Sequence, residues 1–383
     1  MALHFEKQEF TDRMDRLKAR MKEKALDGML LFAQESMFWL TGYDTFGYCF
    51  FQCLVVRADG EMTLLTRAPD LRQARHTSII DNIIIWKDRG DADPTRDLEA
   101  VISDLGLIGK RLGVEYDTQG LTGKAAMGVN ARLQTTCTLT DASDLITHLR
   151  AVKSAAELEH VRKAGELSDH ALDAAIATTR AGADEGDILA AMHNAIFSRG
   201  GDYAGNEFII GSARDALLCR YKSGRRKLDA NDQLTLEWSG AWAHYHAAMM
   251  RTLIVGQPTK RHQELYEACK NALIGVKEAM RPGNTFSDMF HAHAKAVDDA
   301  GLKEHRLNAC GYSLGAVYTP CWMDRPMIFD GNMTAIVPGM VIFGHMIIFD
   351  SETETAMTLG QSFITTEDTV EDLSRHELDL ILC

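Results

Sequence analysis

Glu237 closes an apolar run, Leu234-Thr-Leu. A carboxylate placed there is either desolvated and reactive, or simply paired with a cation such as Arg220 or Arg251. Burial raises a carboxyl pKa, whereas a nearby guanidinium lowers it and keeps the nucleophilic anion. Arg220 stands in Cys219-Arg-Tyr-Lys-Ser-Gly-Arg-Arg. Its planar fork of donors suits a substrate carboxylate, unless the segment is only a solvated basic loop. His244 and His246 lie two apart on an expected strand and would share one face. That spacing could serve one metal, yet no carboxylate completes the set, so the pair reads first as one side of a half-buried strand. His246 alone is a candidate for substrate contact or proton transfer. His291 and His293 sit on an expected helix, point to different faces, and read as surface residues. The stretch from Gly42 to Phe51 is rich in aromatics, among them Phe46, Tyr48 and Phe50. Their faces would suit a small cationic or amidinium substrate, or would fill a core.

Two kinds of element pattern must position these residues. Apolar positions at Phe10, Met14, Leu17 and Met21 predict an amphipathic opening helix. Short buried strands follow at Gly28-Met-Leu-Leu-Phe, Cys53-Leu-Val-Val, Ile83-Ile-Ile-Trp and Arg111-Leu-Gly-Val-Glu. A helix capped by Asp93 with Pro94 at its first position separates the last two. This alternation predicts an α/β domain over residues 1–149. A second domain, 150–383, opens on a long helix with a capping-box spacing, Ser154 to Glu157. Strands are expected at Phe208-Ile-Ile-Gly, Gln233-Leu-Thr-Leu-Glu and from Tyr245 to Val255. Helices over 261–280 and 285–300 then give way to a β-rich final third, an α+β pattern.

A chain of 383 residues is long enough for two cores. Its formal net charge of −13 argues against nucleic acid and anionic membranes as partners and favours a small molecule. The eight cysteines form no CxxC pair, which fits free thiols in a reducing compartment. Residues 1–24 are charged from Glu6 onward and lack an apolar core of signal-peptide length, and no run approaches a membrane span. A cytoplasmic location is expected.

Five landmarks in order carry a family resemblance: Lys153-Ser154 with Glu157, Arg251-Thr252, Arg281-Pro-Gly283, Val337-Pro-Gly-Met-Val341 and Thr366-Glu-Asp368. Together they resemble the pita-bread superfamily of creatinases, prolidases and methionine aminopeptidases. The resemblance implies an α/β N-terminal domain of the creatinase/prolidase type and an α+β pita-bread C-terminal domain. It also implies five metal ligands in metal-dependent members, two Asp, one His and two Glu. Counted from the landmarks, those positions hold Glu237, Ala248, Tyr312, His345 and either Gly360 or Gln361. Only Glu237 is a carboxylate. One Glu and one His cannot hold two hard divalent ions, so no metal and no other cofactor is expected.

A closer likeness is to the ectoine hydrolases, a metal-free branch, through Leu40-Thr-Gly-Tyr-Asp44, Gln52-Cys53, Glu237-x-x-Gly240, Tyr245-His246, Arg251-Thr252 and Gly311-Tyr312-x-x-Gly315. It departs from them at Arg220, where they carry His, and near Gln361, where they carry an acid. The resemblance implies a C–N bond hydrolase acting on a small zwitterionic solute, an ectoine-like cyclic amidine or amide. Glu237 would attack and form an acyl- or imidoyl-type ester, and water activated by His345 or His246 would release it. Arg220 would clamp a carboxylate. Tyr312, Tyr245 and Arg251 would contact substrate, with Tyr312 alternatively filling the space of the missing His and His345 alternatively a core residue. It further implies a homodimer in which Phe46, Tyr48 and Phe50 of one subunit reach the active site of the other. Three other readings stay open: a metal-dependent Xaa-Pro peptidase, a lyase of a sulfonio or ammonio propionate, and a catalytically inert binding protein.

Overall fold

The computed structural model describes residues 3–220 and 224–383. The chain divides into two compact units, Met1–Arg150 and Ala151–Cys383. In the first, strands β1 (Gly28–Leu31), β2 (Cys53–Arg57), β3 (Met62–Arg67), β4 (Asn82–Trp86), β5 (Arg111–Val114) and β6 (Thr138–Asp141) form one sheet in the order β4-β3-β2-β1-β5-β6. Pairings β1–β5, β5–β6 and β3–β4 are parallel, as connections through helices require. Helices α1 (Lys7–Glu23), α2 (Gln34–Thr41), α3 (Leu71–Thr77), α4 (Pro94–Asp104), α5 (Gly123–Leu133) and α6 (Asp144–Ala151) complete the layers, α6 ending at the boundary between the units. The expected opening helix forms and buries Phe10, Leu17 and Met21. Asp93 caps α4 by accepting from the Thr95 amide, with Pro94 at the first position.

The second unit is built on a nine-stranded sheet. Its strands are β7 (Ile209–Ser212), β8 (Asp232–Trp242), β9 (Tyr245–Val255), β10 (Ala309–Ser313), β11 (Asp324–Phe329), β12 (Val341–Asp350), β13 (Thr355–Thr365), β14 (Val370–Asp372) and β15 (Ile381–Leu382). The main path runs β11-β10-β12-β13-β9-β8-β7, with β14 beside β13 and β15 beside β9. Helices α7 (Ala155–Thr178), α8 (Glu185–Phe197), α9 (Lys260–Ala279) and α10 (Phe286–Asp299) pack with it, α7 on β8 and β9, and α9 on β12 and β13. The α/β and α+β expectations thus hold.

Side chains alternate across this sheet, and the alternation decides which face each residue serves. Leu234, Leu236 and Trp238 of β8 face α7, and the Trp238 indole donates to the Ser168 carbonyl. Gly240 continues that face, where a Cβ would come within 2.1 Å of the Ala164 carbonyl oxygen, so only glycine lets α7 lie this close. On β12 and β13, Ile342, Met346, Ile348, Met357, Leu359 and Phe363 join the core beneath α9 and α10. The intervening positions, Glu237 and His345 among them, are left for the opposite face. The capping box at the start of α7 forms as expected: Ser154 Oγ accepts from the Glu157 amide and Glu157 Oε2 from the Ser154 amide.

The β8–β9 hairpin corrects one expectation. His244 lies in the tight turn between the strands, with φ +63° following Ala243 at +49°. It shares no strand face with His246, so the two do not form a ligand pair. His293 is also not a surface residue. It is 1% exposed on α10, its Nδ1 lying 3.2 Å from the Met346 sulfur, whereas His291 is exposed beside Asp330.

Candidate active site

Strand register assembles the site. Ile209 is opposite Glu237, Glu237 opposite Met250, Met250 opposite Gly360, and Gly360 opposite His345. Directly opposed residues share a face, so these five positions form one row across β7, β8, β9, β13 and β12. Tyr312 joins through Phe343, two residues before His345 on the same face of β12. Against this face lies a cavity of about 880 Å³, lined among others by Glu237, Tyr312, His345, Arg220 and Trp322.

Glu237 is nearly buried in this wall. Its Oε1 accepts from the Tyr312 hydroxyl at 3.2 Å, and that hydroxyl accepts in turn from Trp322 Nε1 at 2.9 Å. Burial drives the Glu237 pKa from 4.5 up to about 7; the Tyr312 bond and the Arg220 charge pull it down, but less strongly. The carboxyl is therefore poised between acid and nucleophilic anion near neutral pH. Desolvation likewise pushes the Tyr312 phenol upward, so it remains a neutral donor. Arg220 is exposed at the cavity, next to residues 221–223, which fall outside the described set.

His345 packs against Tyr312 and Phe343, with ring centroids 5.4 and 5.5 Å away. Its Nδ1 is shielded from solvent and has no hydrogen-bond partner among the described residues. Burial, then the neighbouring His293 and Arg220, depress its pKa to about 3, so the ring stands neutral.

Three expected site residues lie elsewhere. Tyr245 and Arg251 have odd numbers on β9, which turns them to the helix side, away from the Met250 row. The Tyr245 hydroxyl donates to Glu157 Oε1 at 2.7 Å. Arg251 is fully buried and binds the Gly360 carbonyl and Gln361 Oε1, tying β9 to β13. It is therefore not the ion-pair partner of Glu237. His246 has the right parity but is sealed under two loops: Nε2 accepts from the Gly205 amide at 2.8 Å and Nδ1 lies 3.4 Å from the Gly315 carbonyl. Desolvation lowers its pKa to about 4, and it contributes nothing to the cavity lining. Phe46, Tyr48 and Phe50 belong to the first unit: Phe46 is 75% exposed, Phe50 covers the Arg67 guanidinium, and Tyr48 is buried, so its ring is not offered outward. Trp322, also in the cavity lining, carries no motif that marks it in the sequence. Only its indole N–H, which needs a partner when buried, could have flagged it.

Residues 159–371 match the model of metallopeptidase family M24, and residues 13–152 match the creatinase/prolidase N-terminal domain. The chain belongs to the M24 family, with an N-terminal α/β domain and a C-terminal pita-bread domain. It is 28% identical over 99% of its length, and 99% of the relative's, to an uncharacterised hydrolase/peptidase of Sinorhizobium fredii. It is 24% identical to the ectoine hydrolase of Halomonas elongata, covering 98% of this chain and 97% of that one. The crystal structure of a prolidase from Thermococcus sibiricus superposes with a TM-score of 0.88 at 18% identity, covering 98% and 99% of the two chains.

The two-ion site expected in metal-dependent members of the family would need several carboxylate oxygens. The donors here do not fit that requirement. Glu237 is the row's single carboxylate, Met250 and Gly360 bring no oxygen side chain, and Ala248 offers a methyl group. Register places Gly360, not Gln361, in the row. A Cβ at Gly360 would lie 2.8 Å from the Phe343 ring, so aromatic carbon fills the space a carboxylate would need. Gln361 points to the other face, bound to Arg251 and Asp372. Among the described residues, no three His, Cys, Asp or Glu side chains gather closely enough to hold a metal ion.

Proposed function

We propose that this protein is a metal-independent hydrolase of a C–N bond in a small zwitterionic solute, an ectoine-like cyclic amidine or amide, with Glu237 as nucleophile. The observation that carries the reading is the burial of Glu237: a desolvated carboxylate on the cavity wall, in a row otherwise stripped of oxygen ligands, while the second carboxylate of the lining, Glu207, is exposed. Full-length similarity to an ectoine hydrolase supports the substrate class. Glu237 adds to the electrophilic carbon, the C–N bond breaks, and the departing nitrogen leaves with the proton that the amidinium already carries or, for an amide, with one taken from solvent. The acyl- or imidoyl-type ester is then hydrolysed by water, which restores the carboxylate. His345, neutral at rest, is not a resting acid; it offers that water a ring nitrogen, and because burial weakens it as a base it holds the proton only in passing. Arg220 receives the substrate carboxylate. The working form is a cytoplasmic homodimer, with Phe46 and Phe50 of one subunit over the cavity of the other.

Metal-stripped protein incubated with ectoine and related solutes should give products one water heavier than the substrate, and Glu237→Gln should abolish them. Mass spectrometry of quenched turnover should show an adduct on the Glu237 peptide. Activity appearing only with about two divalent ions per chain, on Xaa-Pro dipeptides, would overturn the proposal in favour of a prolidase. A product formed without added water would indicate a lyase.

A further inference from the structure

The cavity wall contains a hydrogen-bonded series whose direction is set by one group that can act only as a donor. Trp322 is buried, and its indole N–H, which has no acceptor capacity, points at the Tyr312 oxygen. Tyr312 O therefore accepts from one side, and its own proton is directed to the other, toward Glu237 Oε1. Among the described residues Oε2 has no partner, so it is the oxygen left for chemistry. Trp322 is itself fixed from behind. Its amide donates to Asn206 Oδ1 at 3.1 Å, and the backbone at Cys321–Trp322 lies so close to Gly205 that a Cβ there would be 2.9 Å away. The Gly205 amide is held by His246. His246 thus acts at a distance, by seating the loop against which Trp322 is aligned.

We propose that Trp322 is a positioning residue that orients the Tyr312 hydroxyl as a permanent donor to Glu237 Oε1, leaving Oε2 as the attacking oxygen. The orienting role rests on the hydrolase reading for its catalytic meaning, but the hydrogen-bond polarity stands independently. A Trp322 that merely filled space would be replaceable by any ring of similar bulk. A Trp322 that orients Tyr312 would not be, because without the indole N–H the phenol can turn its proton away from Glu237. Loss of that donation removes the largest influence favouring the carboxylate anion.

The test compares wild type, Trp322→Phe, Tyr312→Phe and the double variant. Glu237 is titrated in the free protein by infrared difference spectroscopy against Glu237→Gln, which needs no substrate. Trp322→Phe should move the Glu237 midpoint upward by about half a pH unit or more. In the Tyr312→Phe background the same change should add nothing, because the two act in series. With an active substrate, the acid limb of kcat/KM should shift by the same amount, and kcat should fall about ten-fold with KM little changed. If Trp322→Phe does not fold, benzothienylalanine at position 322 removes the N–H while keeping the ring shape. A midpoint unchanged in either replacement, or equal shifts with and without Tyr312, would overturn the proposal. Absence of turnover on every solute with the predicted midpoint shifts intact would instead sink the hydrolase reading and leave the orientation standing.

Discussion

Replacing Glu237 by Gln should make this protein more stable at alkaline pH and leave it nearly unchanged in acid. The amide keeps the shape and the oxygen that accepts from Tyr312, but removes the charge. Burial raises the Glu237 pKa from 4.5 to about 7, so the folded state holds this proton more tightly than the unfolded chain does. The unfavourable energy of the buried anion is absent below the unfolded-state pKa, grows as pH rises, and is complete above about pH 7. Each pH unit between the two values is worth about 1.4 kcal/mol, so the full effect is about 3 kcal/mol. Urea unfolding of the two proteins, followed at pH 4.5, 6 and 8.5, reads this as a widening gap in midpoint. The comparison cancels all titrations the two proteins share. A gap that stays constant across the range would mean that Glu237 ionises as an ordinary solvated carboxyl, and the argument for an activated nucleophile would fail with it.

Other expectations follow from the same wall. Activity should show an acid limb near pH 7, falling about ten-fold per unit below it, because attack needs the Glu237 anion. Arg220→Ala should shift that limb upward, since the guanidinium opposes the rise, and should raise KM for carboxylate-bearing solutes by about ten-fold or more, measured by steady-state kinetics. Gly360→Ala should destabilise by about 1–3 kcal/mol through contact with Phe343, with partial relief by Phe343→Leu; a neutral Gly360→Ala in thermal unfolding would contradict the tight packing. Chelation followed by elemental analysis should leave turnover intact. Sedimentation should give about twice the 42.5 kDa chain mass, with Phe46→Ala raising KM while leaving the fold unaffected.

Local chemistry made much of the fold legible. Ser154 and Glu157 announced the start of α7 because a capping box is satisfied within four residues. Asp93-Pro94 did the same for α4. Ordered landmarks pointed to Glu237, His345, Tyr312 and Arg220, and the tertiary structure places these four in the lining of one cavity. Where sequence distance gives no spatial sense, the structure departs from the expectation. His244 and His246 looked like face-sharing neighbours because nothing local revealed that the hairpin turns at Ala243-His244. His293 looked exposed because its burial depends on α10 meeting β12, more than fifty residues away.

By itself the sequence determined that the chain has an α/β core followed by an α+β core, and that its net charge is acidic; the resemblance to the pita-bread superfamily added that the expected ligand positions hold one carboxylate. The first two follow from composition, periodicity and spacing, the third from ordered motifs, all read along the chain. Only the tertiary structure decided that Tyr245 and Arg251 brace the helix face while Glu237 and His345 share the cavity face. Parity on a strand becomes a direction only once register pairs it with its neighbours. The same holds for Trp322, whose indole meets Tyr312 only because a distant loop is folded against Gly205.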